Sequence, residues 1–387
     1  MKLTFYSNYL NHHQIPLSNA FYRLLGNDYT FVATTPFNQA RSALGYVDEN
    51  KNYPYVLTTY DSEANAFRAR ELAVESDVII IGSAPEKYIR LRIPTRKPVF
   101  RYSERPYKKK LPIIKYPKHF LYLHAVNPLC TPIYMLCASA YTPIDYARFG
   151  LFLNRTFQWG YFPEAKRYED IDALISQKKP ASILWAGRLI GWKHPEASIF
   201  VAEKLRQSGC DFELNIIGNG AMEQELQEMI KSKGLEQKVH MLGSMSPERV
   251  REHMEHTEIF LFTSDRNEGW GAVLNESMNS ACAIVASHEV GSVPFLLKDG
   301  ENGLLYRDGD VDALYSKVRW LLNHSVERTH LSKAAYETIS NQWNAENAAC
   351  RFVRLAQAAL NGEQMNKIFP DGVCSPASVI RDNWFRE

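Results

Sequence analysis

From residue 182 onward, apolar runs of strand length alternate with longer amphipathic stretches: 182–186 then 195–208, 212–217 then 222–233, 239–242 then 247–256. A further run at 259–264 leads through a glycine-rich turn and a helical stretch into 283–287. Strands that recur with a helix between each pair predict a parallel sheet, because parallel neighbours need a crossover long enough to return the chain to the same edge. The first half repeats the pattern more loosely, with strand-like runs at 3–6, 29–34, 77–81, 99–102 and 133–138 and helical stretches at 18–25 and 62–75 between several of them. Two such series in 387 residues exceed what one hydrophobic core serves. The predicted class is α/β with two doubly wound domains, residues 1–170 and 171–362, separated by a charged stretch of weak periodicity at 163–180. Helices are expected at 311–322 and 326–361. The tail, 363–387, carries Pro370, Gly372, Pro376, Trp384 and Phe385, and is expected to pack back on the N-terminal domain because a free tail seldom holds such aromatics.

Composition narrows the function classes. An apolar content of 45%, a charged content of 23% and a net charge of +2 are those of a globular protein with no global attraction to nucleic acid. The six cysteines, 130, 137, 210, 282, 350 and 374, include no Cys-x-x-Cys pair, which argues against a zinc site and for reduced thiols in the cytoplasm. Residues 1–6 run directly into polar Ser7-Asn8, too short for a secretory apolar region. The longest apolar stretch, 120–141, is broken by His124, Asn127, Pro128 and Pro132, so a cytoplasmic protein without a transmembrane span is expected.

The residues with chemistry lie where the predicted strands end. Residues 268–276, Glu-Gly-Trp-Gly-Ala-Val-Leu-Asn-Glu, follow the strand at 259–264, so Glu268 stands at the mouth of a site and Glu276 about two helical turns behind it. Carboxylates so placed can accept hydrogen bonds from sugar hydroxyls. Residues 186–193 contain Gly187, Arg188, Gly191 and Lys193 between a strand and a helix; arginine offers a planar fork to phosphate oxygens, lysine a point charge, and glycine close backbone approach. Alone, this stretch reads equally as an ordinary loop with surface charges. A second turn, Gly218-Asn219-Gly220, ends the next strand and is weak evidence by itself, since such turns use Gly and Asn everywhere.

In order and spacing these pieces resemble the retaining nucleotide-sugar glycosyltransferases of family 4, the glycosyl transferases group 1, which have the GT-B fold of two Rossmann-like domains facing a central cleft. Arg188 and Lys193 match the family's diphosphate-binding Arg-x4-Lys. Glu268 and Glu276 match its Glu-x7-Glu, and residues 289–295 and 299–305 match segments near its end. The resemblance covers about residues 181–355. It implies a donor site of Gly187, Arg188, Lys193, Gly218, Asn219, Gly220, Ser244, Met245, Glu268, Gly269, Trp270, Gly271 and Glu276, with Glu276 on the ribose hydroxyls and Glu268, Arg188 and Lys193 at the reaction centre. It also implies a UDP- or GDP-sugar donor, a glycan, lipid-linked or small-molecule acceptor such as those of cell-surface polysaccharide synthesis, and neither metal nor other cofactor. The pair of glutamates is not read as the acid and nucleophile of a hydrolase, because the family retains configuration by front-face attack.

The first half resembles the family only loosely. Where relatives often carry glycines after the first strand, this chain has Asn11-His12-His13-Gln14, whose polar side chains suit an acceptor; exposed loop residues are the other reading of His12 and His13. Where the family frequently has a histidine after the strand 98–102, this chain has Ser103-Glu104, so Glu104 is placed with the acceptor residues and His124 is read as structural. The pairs Asp170/Asp172 and Asp308/Asp310 look like a metal motif but lie in the interdomain stretch and before a helix, where acids suit the dipole. The basic run from Arg105 to Lys118 is either a solvated loop or a contact with anionic membrane, which would place the protein at the membrane's inner face. Two rival functions remain: a GT-B nucleotide-sugar epimerase, against which the two spacings argue, and a catalytically silent nucleotide-sugar-binding protein, against which the four donor-side charges argue.

Overall fold

The computed structural model describes residues 1–37, 48–109 and 111–385. The chain divides into two units: Met1–Glu164 together with Asn344–Arg381, and Ala165–Trp343 together with the chain from Asp382 on.

The first unit holds a seven-stranded parallel sheet: β1 (Leu3–Ser7), β2 (Tyr29–Ala33), β3 (Val56–Thr58), β4 (Val78–Ile81), β5 (Val99–Ser103), β6 (Ile133–Cys137) and β7 (Thr156–Gln158), in the order β3-β2-β1-β4-β5-β6-β7. The central strands are buried along their whole length, β4 being an unbroken Val-Ile-Ile-Ile, as expected of strands covered on both faces. β3 and β7, three residues each and on the edges, carry too short a pattern to be seen in sequence. The tail runs along β7, with Cys374 N donating to Gln158 O at 2.8 Å and Ala377 N to Thr156 O at 2.9 Å.

The second unit holds β8 (Lys179–Ala186), β9 (Glu213–Ile217), β10 (Val239–Gly243), β11 (Thr257–Phe262), β12 (Ala283–Ser287) and β13 (Leu304–Tyr306), all parallel, in the order β10-β9-β8-β11-β12-β13. Numbered locally this is 3-2-1-4-5-6, the doubly wound order that binds ligands where successive crossovers diverge. That point lies between β8 and β11 here, and between β1 and β4 in the first unit.

The expected helix at 326–361 is two helices that belong to different units. Ser325–Glu337 passes through a π turn, Thr338–Gln342, to Trp343, which stacks on Phe295 at 6.0 Å in the second unit. Asn344 then adopts an extended backbone, caps a new helix by accepting from Asn347 N at 2.9 Å, and sends Ala345–Asn361 onto the first unit. There Phe352, fully buried, meets Phe21, Phe100 and Trp159 at 5.5, 5.0 and 5.8 Å. The division therefore differs from the expected 1–170 and 171–362: an apolar helical face reads the same whichever core covers it. The tail lies on the first unit as far as Arg381, but its last described residues lie on the second, with Asp382 3.3 Å from Arg266 and the rings of Trp384 and Phe385 against His288. Among the described residues no helix is long and apolar enough to cross a membrane, and the six cysteines are free.

Candidate active site

The loops that leave β8, β9 and β10 are bonded to one another through their backbones. Gly187 N donates to Ile217 O at 2.9 Å, Leu189 N to Asn219 O at 2.8 Å, Met222 N to Leu189 O at 3.1 Å and Gly218 N to Gly243 O at 2.8 Å. This packing is possible only because the turn is glycine: at Gly218, whose φ is +143°, a Cβ would lie 1.8 Å from Gly187 O. The turn that read as weak sequence evidence is thus fitted against the Gly187-Arg188-Leu189 backbone. Ser244 and Met245 follow directly on Gly243 and so stand beside the turn.

The loop after β8 and the loop after β11 meet at the divergence point. Lys193 Nζ forms an ion pair with Glu268, both side chains being largely buried. The backbone is joined there as well: Thr263 Oγ1 donates to Lys193 O at 2.7 Å, Asp265 N to Trp192 O at 2.9 Å and Glu268 N to Asp265 O at 3.0 Å. Arg188, on the same loop as Lys193, is exposed, lies over the Trp192 ring at 5.5 Å and forms no ion pair among the described residues. The site therefore presents one cation held by a carboxylate and a second that no carboxylate neutralises.

Behind them, Gly271 takes a φ of +76°, and a Cβ there would lie 2.3 Å from the Phe262 ring. That turn aims Trp270 inward: it is fully buried, its Nε1 donates to Asn275 Oδ1 at 2.8 Å, and its carbonyl accepts from Ser292 Oγ at 2.5 Å. Trp270 is thus anchored by its buried side chain, which leaves only its backbone for the role the resemblance implies. Gly291 N donates to Glu268 O at 3.2 Å, so residues 289–292 brace the glutamate from the other side. Glu276 lies in the first turn of the helix Val273–Asn279, and burial pushes its carboxyl up to about 7 against the pull of Arg251. Its side chain has no hydrogen bond or ion pair among the described residues.

In the first unit, three of the four expected acceptor residues cluster at the carboxyl edge of the sheet. The rings of His12 and His13 lie 3.6 Å apart, and His13 stacks on Tyr161 at 5.6 Å. The Tyr161 hydroxyl donates to Glu104 at 2.6 Å, and Lys108 donates to the same carboxylate at 3.1 Å. Tyr161, just past β7, joins residues from two distant loops and carries no motif of its own. Asn11 is different: its Oδ1 accepts from His13 N at 3.1 Å and Gln14 N at 3.2 Å, which shapes the turn. His124 is structural as expected, bonded to Phe149 O at 2.9 Å.

The remaining expectations resolve into structure. Asp170 caps the helix Ile171–Ser176, Asp310 caps Val311–Asn323, and Asp172 pairs with Lys333. No group of three or more His, Cys, Asp or Glu is placed to hold a metal among the described residues. Arg105, read with its run as solvated or at a membrane surface, is instead buried, 3.3 Å from Asp145 and over the Tyr141 ring at 4.8 Å. Lys110, in the same run, lies outside the described residues. Sequence reasoning also missed His194, in a left-handed conformation at φ +47°, which bonds Glu196 at 2.7 Å and lies 3.6 Å from Asp265; the glutamate raises its pKa. An isolated histidine after Lys193 carries no signal of that role.

Residues 166–338 match the family described as Glycosyl transferases group 1. The amylovoran biosynthesis glycosyltransferase AmsK of Erwinia amylovora is 28% identical over 190 residues, 48% of this chain and 46% of its own. An N-acetylgalactosamine-N,N'-diacetylbacillosaminyl-diphospho-undecaprenol 4-alpha-N-acetylgalactosaminyltransferase of Campylobacter jejuni is 30% identical over 157 residues, 40% of this chain and 41% of its own. The chain spans less than half the length of these relatives. The crystal structure of Anabaena Alr3699/HepE in complex with UDP covers 92% of this chain and 100% of that chain at a TM-score of 0.66 and 16% identity. That likeness, with the two doubly wound sheets, shows the GT-B fold.

Proposed function

We propose that this chain is a retaining glycosyltransferase of the family 4 type that moves a sugar from a UDP- or GDP-sugar to a glycan, lipid-linked or small-molecule acceptor in the synthesis of a cell-surface polysaccharide. The observation that carries this reading is the pairing of Lys193 with Glu268 at the divergence point of the second sheet, with Arg188 on the same loop as Lys193 and beside a backbone turn that only glycine permits. The family match and the named activities of the relatives support glycosyl transfer. UDP is the first nucleotide to test because the Anabaena neighbour holds it.

In this reading Arg188 and Lys193 face the donor diphosphate. The bond from the anomeric carbon to the diphosphate oxygen breaks while the acceptor oxygen bonds to the same face, and the acceptor's proton passes to the departing phosphate. Negative charge grows on the diphosphate, and two fixed cations stabilise it without a metal. Glu268 holds Lys193 in place and stands nearest the donor sugar, while Glu276 accepts hydrogen bonds from ribose. His12, His13, Tyr161 and Glu104 receive the acceptor. The protein works in the cytoplasm at the inner face of the membrane.

The test is a thermal-shift screen of UDP, GDP and their sugars, followed by product detection with candidate acceptors and anomer assignment by NMR. The expected result is stabilisation by one nucleotide and a product with the donor's configuration, in the presence of EDTA. No nucleotide binding, an inverted product, or activity that EDTA abolishes and Mg²⁺ or Mn²⁺ restores would each refute the corresponding part.

A further inference from the structure

His194 stands between Lys193 and the helix Pro195–Gln207, and its backbone is left-handed, with φ +47° and ψ +51°. Among residues with a side chain, asparagine, aspartate and histidine take that conformation most readily. The imidazole lies between two carboxylates on separate loops: Nδ1 is 2.7 Å from Glu196 Oε1, and Nε2 is 3.6 Å from Asp265 Oδ2. Asp265 connects the ring to the site. Its N donates to Trp192 O at 2.9 Å, its O accepts from Glu268 N at 3.0 Å, and its side chain accepts from Asn267 N at 2.7 Å, so a shift of Asp265 carries Glu268 with it. A third carboxylate, Asp308 after β13, also bears on the ring; burial, and then Glu289 after β12, push its carboxyl up to about 6. Lys193, the adjoining cation, is already paired with Glu268. The charge on the ring therefore offsets Glu196, Asp265 and Asp308 at the edge of a site that has to admit a diphosphate. The hydrogen bond to Glu196, and then the charges of Glu196, Asp308 and Asp265, hold the imidazole above its ordinary 6.5 against the opposing effect of burial.

We propose that protonated His194 is a positioning residue of the donor site: by holding Glu196 and Asp265 together it fixes the loop of Glu268 against the loop of Lys193, and the nucleotide diphosphate binds more weakly once the ring is neutral. This rests on the donor-site reading above. The sign follows from which form makes the bridge. Only the imidazolium presents an N–H to both carboxylates, so the alignment is complete at low pH and is lost as pH rises through the raised pKa of the ring. Glu276, Asp308, His288 and the nucleotide phosphates bear on the same pH range, but they are common to wild type and to a variant at 194. The difference between the two profiles isolates the ring.

The experiment is calorimetric titration of the full chain with UDP, or with GDP where that is the nucleotide bound, from about pH 6 to about pH 9.5. Wild type, His194→Asn and Glu196→Gln are compared, and the His194 ring is followed by NMR. Asparagine suits the left-handed backbone and carries no charge, so the circular dichroism spectrum and melting temperature should be kept. His194→Asn should bind the nucleotide about fivefold or more weakly than wild type at the acid end and equally at the alkaline end. Glu196→Gln removes the first support of the proton and should move the alkaline loss of affinity to lower pH, which a merely structural histidine would not do. Because the coupling is reciprocal, the nucleotide should raise the pH at which the ring titrates in wild type. The last two readouts decide the matter even where the asparagine variant folds poorly. A wild type with the same pH profile as His194→Asn, an alkaline loss that Glu196→Gln leaves in place, or a ring whose titration the nucleotide leaves unmoved would each overturn this proposal alone. No binding of either nucleotide at any pH would refute the donor-site reading and this proposal with it.

Discussion

Glu276 is a carboxylate that the fold tolerates rather than favours, and Glu276→Gln tests whether function explains it. Burial lifts the carboxyl from 4.5 to about 7. At 1.36 kcal/mol per pKa unit, ionising it in the folded protein carries a penalty of about 3 kcal/mol. Between those two values the folded state binds more protons than the unfolded one, so this contribution makes stability fall as pH rises through the window. The penalty is complete at about pH 8, and less than about 1 kcal/mol of it remains at about pH 5. Glutamine keeps the shape and removes the charge, so the variant should be more stable than wild type by up to about 3 kcal/mol at pH 8 and nearly equal to it at pH 5. If Glu276 accepts charged hydrogen bonds from ribose, the same change should weaken donor binding about 10- to 100-fold, and wild-type donor affinity should fall below pH 7 while that of the variant does not. Urea unfolding at the two pH values and calorimetric titration with UDP read both effects. A variant less stable than wild type at pH 8 would refute the argument from burial. A variant that gains stability and binds UDP normally would leave the carboxylate without a donor role.

Arg188→Ala and Lys193→Ala should each weaken UDP binding and lower turnover, by on the order of 10²–10³ for the group nearer the leaving phosphate; steady-state kinetics and titration check this. His12→Ala/His13→Ala, and separately Tyr161→Phe, should reduce transfer to acceptor while leaving donor hydrolysis and UDP affinity near wild type. Equal loss in both reactions would move that cluster to the donor side. Gly218→Ala should lower the melting temperature and abolish UDP binding together, because its Cβ cannot fit 1.8 Å from Gly187 O; a stable, UDP-binding variant would show that the turn is free to move.

What was legible in the sequence follows from how local its cause is. The strands β1, β4, β5, β8, β9 and β11 announce themselves because each is an apolar run that must be buried. The Arg-x4-Lys and Glu-x7-Glu spacings pointed to the two loops that meet at the divergence point of the second sheet because each lies on one short segment. The ion pair between Lys193 and Glu268 spans 75 positions and was not readable. Tyr161 was missed because its contacts come from partners far away in the sequence. The break at Trp343 escaped notice since apolar residues on both sides of it continue a helical pattern.

The chain passes between its two units three times, after Glu164, after Trp343 and after Arg381. On the ribosome the first sheet is therefore complete long before the helix that closes it. About 180 residues separate Glu164 from the start of Ala345–Asn361, which at bacterial-like synthesis rates is roughly 10–40 s during which Phe21, Phe100 and Trp159 await Phe352. A single proteolytic nick between the units leaves both pieces tied together, and an expression clone cut at 171–362 would carry that helix away from the core it covers. Separating the halves of this protein requires grafting residues 344–381 back onto residues 1–164.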